Sequence, residues 1–208
     1  MFSNIPKTLS TILLCIIAEV LNLFTVDVFY HFLDIPLFFD TIWTVAVVFY
    51  LGLIPGFAVS IGYNIINTLL LVWQEGYFDP FVLMYGICGI FTVLSTWFIA
   101  RRKAEFKISV TITILYLVLI VLLASFFSII CGGVINFFRY KHYEIPDMMN
   151  PIKNFTTGFV YMRFSFFVSC ILAQIPTVLL DRFIATFAGF GIYTLWNKFM
   201  EKRMKSLR

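Results

Sequence analysis

A chain of 208 residues that is 61% hydrophobic and only 12% charged, with a mean hydropathy of +0.95, is no soluble domain, since soluble domains carry about twice that charged fraction. Its net charge of +4 lies in compact clusters, not in a basic stripe interleaved with aromatics. That excludes a nucleic-acid partner and points to orientation in a bilayer and contact with lipid headgroups. Runs such as Val110 to Phe127 are apolar on every side, which a lipid-buried helix tolerates and the alternating pattern of a β-barrel does not.

The two basic clusters set the orientation. Arg101-Arg-Lys-Ala-Glu-Phe-Lys107 lies between two apolar runs, and Lys198, Lys202, Arg203, Lys205 and Arg208 mark the other end of the chain. Short loops rich in Lys and Arg stay on the cytoplasmic side, so both are expected inside. The first span is predicted from about Leu9 to Val26, retained and not cleaved as a signal peptide. An acidic outer loop with Asp27, His31 and Asp34 follows, and Pro36 breaks the helix. A second span is predicted from Phe38 to Leu51, then a tight inner turn at Gly52-Leu-Ile-Pro55-Gly56.

The third span covers Phe57 to Trp73, and Asp79-Pro80 is a helix-start signal for a fourth that reaches Arg101. The fifth rises from Lys107 to about Ile130, with Gly132-Gly133 as its end or a kink. Residues 136–158, with Arg139, His142, Glu144, Pro146 and Asp147, read as an exposed extracellular loop. Two full crossings after that point would leave the basic tail outside. The segment 159–173 is therefore expected to be an outer-leaflet or re-entrant helix, and 177–197 the sixth span; a single irregular fifth or sixth helix is the competing solution. The whole chain, 1–208, reads as one transmembrane helical domain: an all-α six-helix bundle with both termini cytoplasmic, multi-pass in the cell membrane.

Polar groups inside such spans are costly unless partnered, so they are the candidate site. Asp40 opens the second span. Asn64 and Asn67, three apart, share one face of the third, where they suit a polar ligand or interhelical hydrogen bonds. Asp181 and Arg182 begin the last span, as a ligand contact or as a cap and a snorkelling cation. Glu19 and Asn22 lie deep in the first span, and Trp43, Tyr63 and Trp73 near outer helix ends. No HExxH, Gly-rich phosphate loop or serine elbow is present, so no enzymatic activity is expected. The four cysteines lack CxxC spacing, which argues against a disulfide framework, and no metal or other cofactor is expected.

Ile35-Pro-Leu-Phe-Phe-Asp-Thr-Ile-Trp-Thr44, then Leu51-Gly-Leu-Ile-Pro-Gly-Phe-Ala-Val-Ser-Ile-Gly-Tyr-Asn64, resembles the second and third helices of substrate-binding S-components of energy-coupling factor (ECF) transporters, including their Gly-x-x-x-Gly turn. Ile175-Pro-Thr-Val-Leu-Leu-Asp-Arg-Phe-Ile-Ala185 resembles the start of their last helix. Where many members carry Ala-x-x-x-Ala on the first helix, Thr11 to Asn22 holds only Ala18. The resemblance implies a bacterial inner-membrane protein that captures a vitamin-like small-molecule nutrient under its first outer loop. It also implies partners: a transmembrane scaffold subunit and two ATPase subunits, which would supply the ATP chemistry absent from this chain. A membrane sensor or anchor domain of a signalling system is the alternative reading.

Overall fold

The apolar runs leave the backbone no hydrogen-bond partner but itself, and in the computed structural model they coil into helices. The structure describes residues 7–29, 35, 37–76, 78–102, 104–142 and 150–206; among these there is no strand. The elements are α1 (Lys7–Asp27), α2 (Ile42–Leu51), α3 (Leu53–Glu75), α4 (Pro80–Met84), α5 (Gly86–Ala100), α6 (Val110–His142), α7 (Asn150–Tyr161), α8 (Phe166–Leu172) and α9 (Gln174–Ser206). Five stretches are long and apolar enough to cross a membrane: Lys7–Asp27, Leu53–Gln74, Pro80–Ala100, Val110–His142 and Phe166–Phe199. The chain is thus an all-helical protein with the character of a multi-pass membrane protein.

Side-chain contacts fix the direction of each helix. Asn22 meets Thr44 while Cys15 and Ala18 pack with Val47 and Leu51, so α1 and α2 run antiparallel. Gly56 faces Val93, and Gly86 faces Asn64, which makes α3 and α5 antiparallel. Cys88 meets Ser128, and Ile99 and Ala100 pack with Leu117, so α6 opposes α5. Ile42 packs with Ala185, and Phe49 with Phe190 and Tyr193, so α2 and α9 are parallel neighbours. These directions bring Lys7, Arg101, Arg102 and Lys198 to one end of the bundle. There Arg101 lies over the rings of Trp97 and Phe98, as a snorkelling cation at a membrane surface would. The same end is filled by a core of Phe49, Phe106, Phe190, Tyr193, Leu117 and Ile120.

Several expectations are corrected. The predicted second span, Phe38 to Leu51, contains a helix of only 10 residues, about 15 Å of rise, half of a hydrocarbon core; residues 37–41 precede it without helical structure. The predicted turn over Gly52 to Gly56 shrinks to Gly52, which takes φ 95° between α2 and α3, and Gly56 is already helical. The fourth span has a joint at Tyr85 between α4 and α5. Gly132-Gly133 does not end the fifth span: α6 continues to His142 for 33 residues. The two glycines are sites of close approach, since a Cβ on Gly133 would lie 2.7 Å from the Ile171 backbone and one on Gly132 would touch Gln174.

The predicted loop over 136–158 is accordingly helical at 136–142 and 150–158; residues 143–149, including Glu144, Pro146 and Asp147, lie outside the described residues. Nor is 159–173 a separate helix. α7 ends at Tyr161, Arg163 turns the chain with φ 67°, and α8 starts after the Ser165 cap, which accepts from the Val168 N–H. From Phe166 the path stays helical through Pro176 to Phe199 with only a turn at Ala173. A single irregular last helix, the competing solution, is what forms. The His31 and Asp34 loop, Pro36 and Arg208 lie outside the described residues.

The α2–α9 contact depends on Gly189, where a Cβ would lie 2.7 Å from the Ile42 carbonyl and 2.8 Å from the Val45 side chain; Gly191 has open space around it. Gly189→Ala is expected to lose about 1–3 kcal/mol by overpacking, read as a lower thermal unfolding midpoint in detergent. Gly191→Ala is expected to hold or slightly raise it.

Candidate functional site: a buried charged cluster at the broken start of helix α2

Helix α2 starts inside the bundle, and how it starts defines the site. Phe39, 2% exposed, sits at φ 48°, a left-handed conformation that is unusual for an aromatic residue. Its N–H donates to Asp181 Oδ1 at 2.7 Å. Thr41 then takes the N-cap position of α2 without capping through its own side chain. Its hydroxyl instead accepts a hydrogen bond from Arg182 Nη1. The same Nη1 lies 3.4 Å from Asp40 Oδ1 and 3.3 Å from Asp181 Oδ2. Asp181 and Arg182 are 1% and 5% exposed, while the Asp40 side chain keeps 22% of its surface open.

The cluster therefore holds two carboxylates and one guanidinium, with the positive end of the α2 dipole beside them. Asp181 and Arg182 do not begin the last span: they lie two turns inside α9 and well below Phe166. The bland reading of a cap and a snorkelling cation is thereby corrected, because neither group reaches water or headgroups. Tyr63, 6% exposed, lies within Coulombic reach of Asp40, Asp181 and Arg182, and Cys88 within reach of Arg182 and Asp40.

The other sequence candidates divide. Trp43 is tied to α1: its backbone N–H donates to Asn22 Oδ1 and its indole N–H to Thr25, while Asn22 Nδ2 donates to Thr44 at 2.9 Å. Asn22 is thus a clamp between α1 and α2. Asn64 is buried, but its amide donates to the Ser60 carbonyl one turn back, facing Gly86 of α5; it also lines an apolar groove of about 870 Å³ with Ile65, Phe81, Ile87 and Phe138. Asn67 is half-buried. Glu19 packs its carboxylate onto Gly62, away from the Asp40 cluster, at the α1–α3 seam. Trp73 is 82% exposed, as a membrane-facing aromatic would be.

A second polar group escaped the sequence reading. Arg139 Nη2 lies 2.6 Å from Asp79 Oδ2, both side chains buried, and Asp79 also caps α4 by accepting from the Phe81 N–H. Tyr85 donates to Asn136 Oδ1 beside them. The signal was periodic: Ser125, Ser128, Gly132, Asn136 and Arg139 recur at three- and four-residue steps and form one buried stripe on α6. Across from it, α9 presents Gln174, Thr177 and Asp181 on its own stripe. Ser128 Oγ, Asn136 Nδ2, Gln174 Nε2 and Thr177 Oγ1 are buried and have no protein partner. In an apolar bundle such groups cost about 1–3 kcal/mol each unless water or a ligand meets them. Among the described residues no cluster of His, Cys, Asp and Glu could hold a metal ion.

Compared with family models, curated proteins and solved structures, the chain matches none of them. The functional reading accordingly rests on its own residues.

Arg182→Leu leaves Asp40 and Asp181 without their cation. It is expected to cost about 3–5 kcal/mol, seen as a sharply lower unfolding midpoint in detergent. Combining it with Asp40→Asn and Asp181→Asn removes all three charges and is expected to recover most of the loss.

Proposed function

We propose that this chain is a membrane-embedded substrate-capture subunit, of the kind the ECF S-component resemblance implies. It would bind a small vitamin-like nutrient from outside and pass it to a scaffold subunit and two ATPases. The observation that carries this reading is the Asp40–Asp181–Arg182 cluster, held in the bundle interior at a helix that begins part-way through. Broken helices whose ends face a buried polar site are how membrane transporters make room for a solute while keeping the backbone satisfied. The polar seam of α6 and α9 extends the same site toward the end opposite the basic clusters.

On this reading the basic end is cytoplasmic. Counting the short α2 as a pass, the chain makes six traverses and both termini lie inside a bacterial inner membrane. The aromatic core at the basic end closes the inner side. Ligand would then meet Asp40, Tyr63, Asn64, Asp181 and Arg182 from the outer side, and no chemical step on it is needed. Hydrolysis of ATP belongs to the partners.

Tagged protein solubilised in mild detergent is expected to bring down a membrane scaffold and two ATPases from its native host, and their consistent absence would overturn the transport reading. Asp40→Ala and Arg182→Ala are expected to abolish retention of any co-purified small molecule, seen by mass spectrometry, whereas Asn67→Ala is expected to keep it. For orientation, single cysteines placed at Lys7 and Lys198 in a variant lacking the four native cysteines should both resist an impermeant thiol reagent in intact cells. Labelling of either one would reverse the topology.

A further inference from the structure

We infer that the ligand held at the Asp40–Asp181–Arg182 cluster is an organic cation, such as a quaternary or protonated amine or a cationic heteroaromatic ring. The inference rests on the reading of this cluster as a ligand site and adds to it the charge the ligand must bring. Two carboxylates face one guanidinium there, so with both carboxylates ionised the cluster carries one negative charge in excess. Arg182 meets Thr41, Asp40 and Asp181 through Nη1, while its Nε is buried without a protein partner. The other buried ion pair among the described residues, Arg139 with Asp79, is balanced and cannot supply the missing charge. The α2 N-terminus offers only a partial positive charge, and Asp181 already takes the Phe39 N–H.

A lone excess charge in a low-dielectric interior is expensive, and a cation of matching charge removes that cost. Of the two carboxylates, Asp40 is the one that keeps accessible surface, and that edge is where the cation would arrive. Three further features favour an organic cation over a metal ion. The buried phenol of Tyr63 lies within Coulombic reach of Asp40 and Asp181, and aromatic side chains contribute to the recognition of ammonium groups. Metal-ligating residues do not cluster among the described residues. Finally, the buried and unpartnered Thr177 and Gln174 lie one and two turns above Asp181 on α9, placed to bind polar substituents on an organic body rather than a bare ion.

The test uses the full chain in lipid nanodiscs and follows its thermal unfolding midpoint. The probes are choline, its uncharged tert-butyl isostere, benzyltrimethylammonium, benzoate, and potassium chloride at matched ionic strength. The two organic cations are expected to raise the midpoint in a saturable way, while the uncharged isostere, benzoate and the salt do not. Asp40→Asn is expected to weaken the response to the cations by about tenfold or more, as losing one partner of a desolvated charge pair does. Because it removes the excess charge, Asp40→Asn is also expected to raise the ligand-free midpoint. Stabilisation by the uncharged isostere or by benzoate as strong as by the cations overturns the inference, as does an equal response to potassium chloride. A lower ligand-free midpoint in Asp40→Asn, or a cation response that this change leaves intact, overturns it as well. Recovery of the scaffold and ATPases with a failed cation titration would sink the cation while leaving the capture reading standing.

Discussion

The hydrocarbon interior of a membrane offers a loose stretch of backbone no water, so any residue that leaves a helix at that depth must find acceptors and donors in the protein itself. Residues 37–41 are such a stretch. They approach α2 without helical structure, and Phe39 turns through a left-handed conformation that only a surrounding structure can hold. Asp181 provides the acceptor for its N–H, and Arg182 joins the Thr41 hydroxyl and the Asp40 carboxylate to the same helix. The short helix, its parallel packing on α9 and the buried charges thus meet in one arrangement.

That arrangement divides the bundle into two halves of different character. Toward the basic end, α2 and α9 run on together into rings of Phe49, Phe190 and Tyr193 with Phe106 set edge-on to Phe49, a packed apolar layer. Away from it, the facing stripes of α6 and α9 carry serines, threonines and amides whose hydrogen bonds are unmet within the protein. A channel needs a polar path through both halves. A bundle with polar groups in one half and an aromatic layer across the other suits holding a solute and waiting for something else to open the far side, which is the division of labour the capture reading requires.

The sequence made some of this legible and hid the rest for identifiable reasons. The helical, lipid-facing character of the chain followed from hydropathy alone, and Asp79-Pro80 marked the start of α4 because the cap is a local device. The charged residues Asp40, Asp181 and Arg182 were picked out because burying charge is costly wherever it occurs. Length was harder: Phe38 to Leu51 is apolar throughout, and hydropathy cannot distinguish a full span from a half-helix preceded by an irregular strand of chain. Gly132-Gly133 suggests a helix end or a kink from sequence alone, since a glycine's backbone freedom and its lack of a side chain look alike there. Its use here is the second, to admit Ile171 and Gln174. Arg139 was placed in a loop because polar composition normally means solvent, whereas here the polar positions repeat with helical period and face inward.

The charged cluster itself is the strongest argument that the interior has a task. Buried ion pairs add little stability over well-packed apolar residues of similar size, and replacing them often stabilises a protein by about 1–4 kcal/mol. Helix α2 could be tied to α9 more cheaply by extending the contacts of Ile42 and Val45, which already pack on Ala185 and Gly189. Joining the two helices through three ionisable groups instead, with one carboxylate partly open and a run of unpaired amides and hydroxyls beyond it, leaves the empty protein less stable than its size allows. Such a deficit is what binding energy can make good.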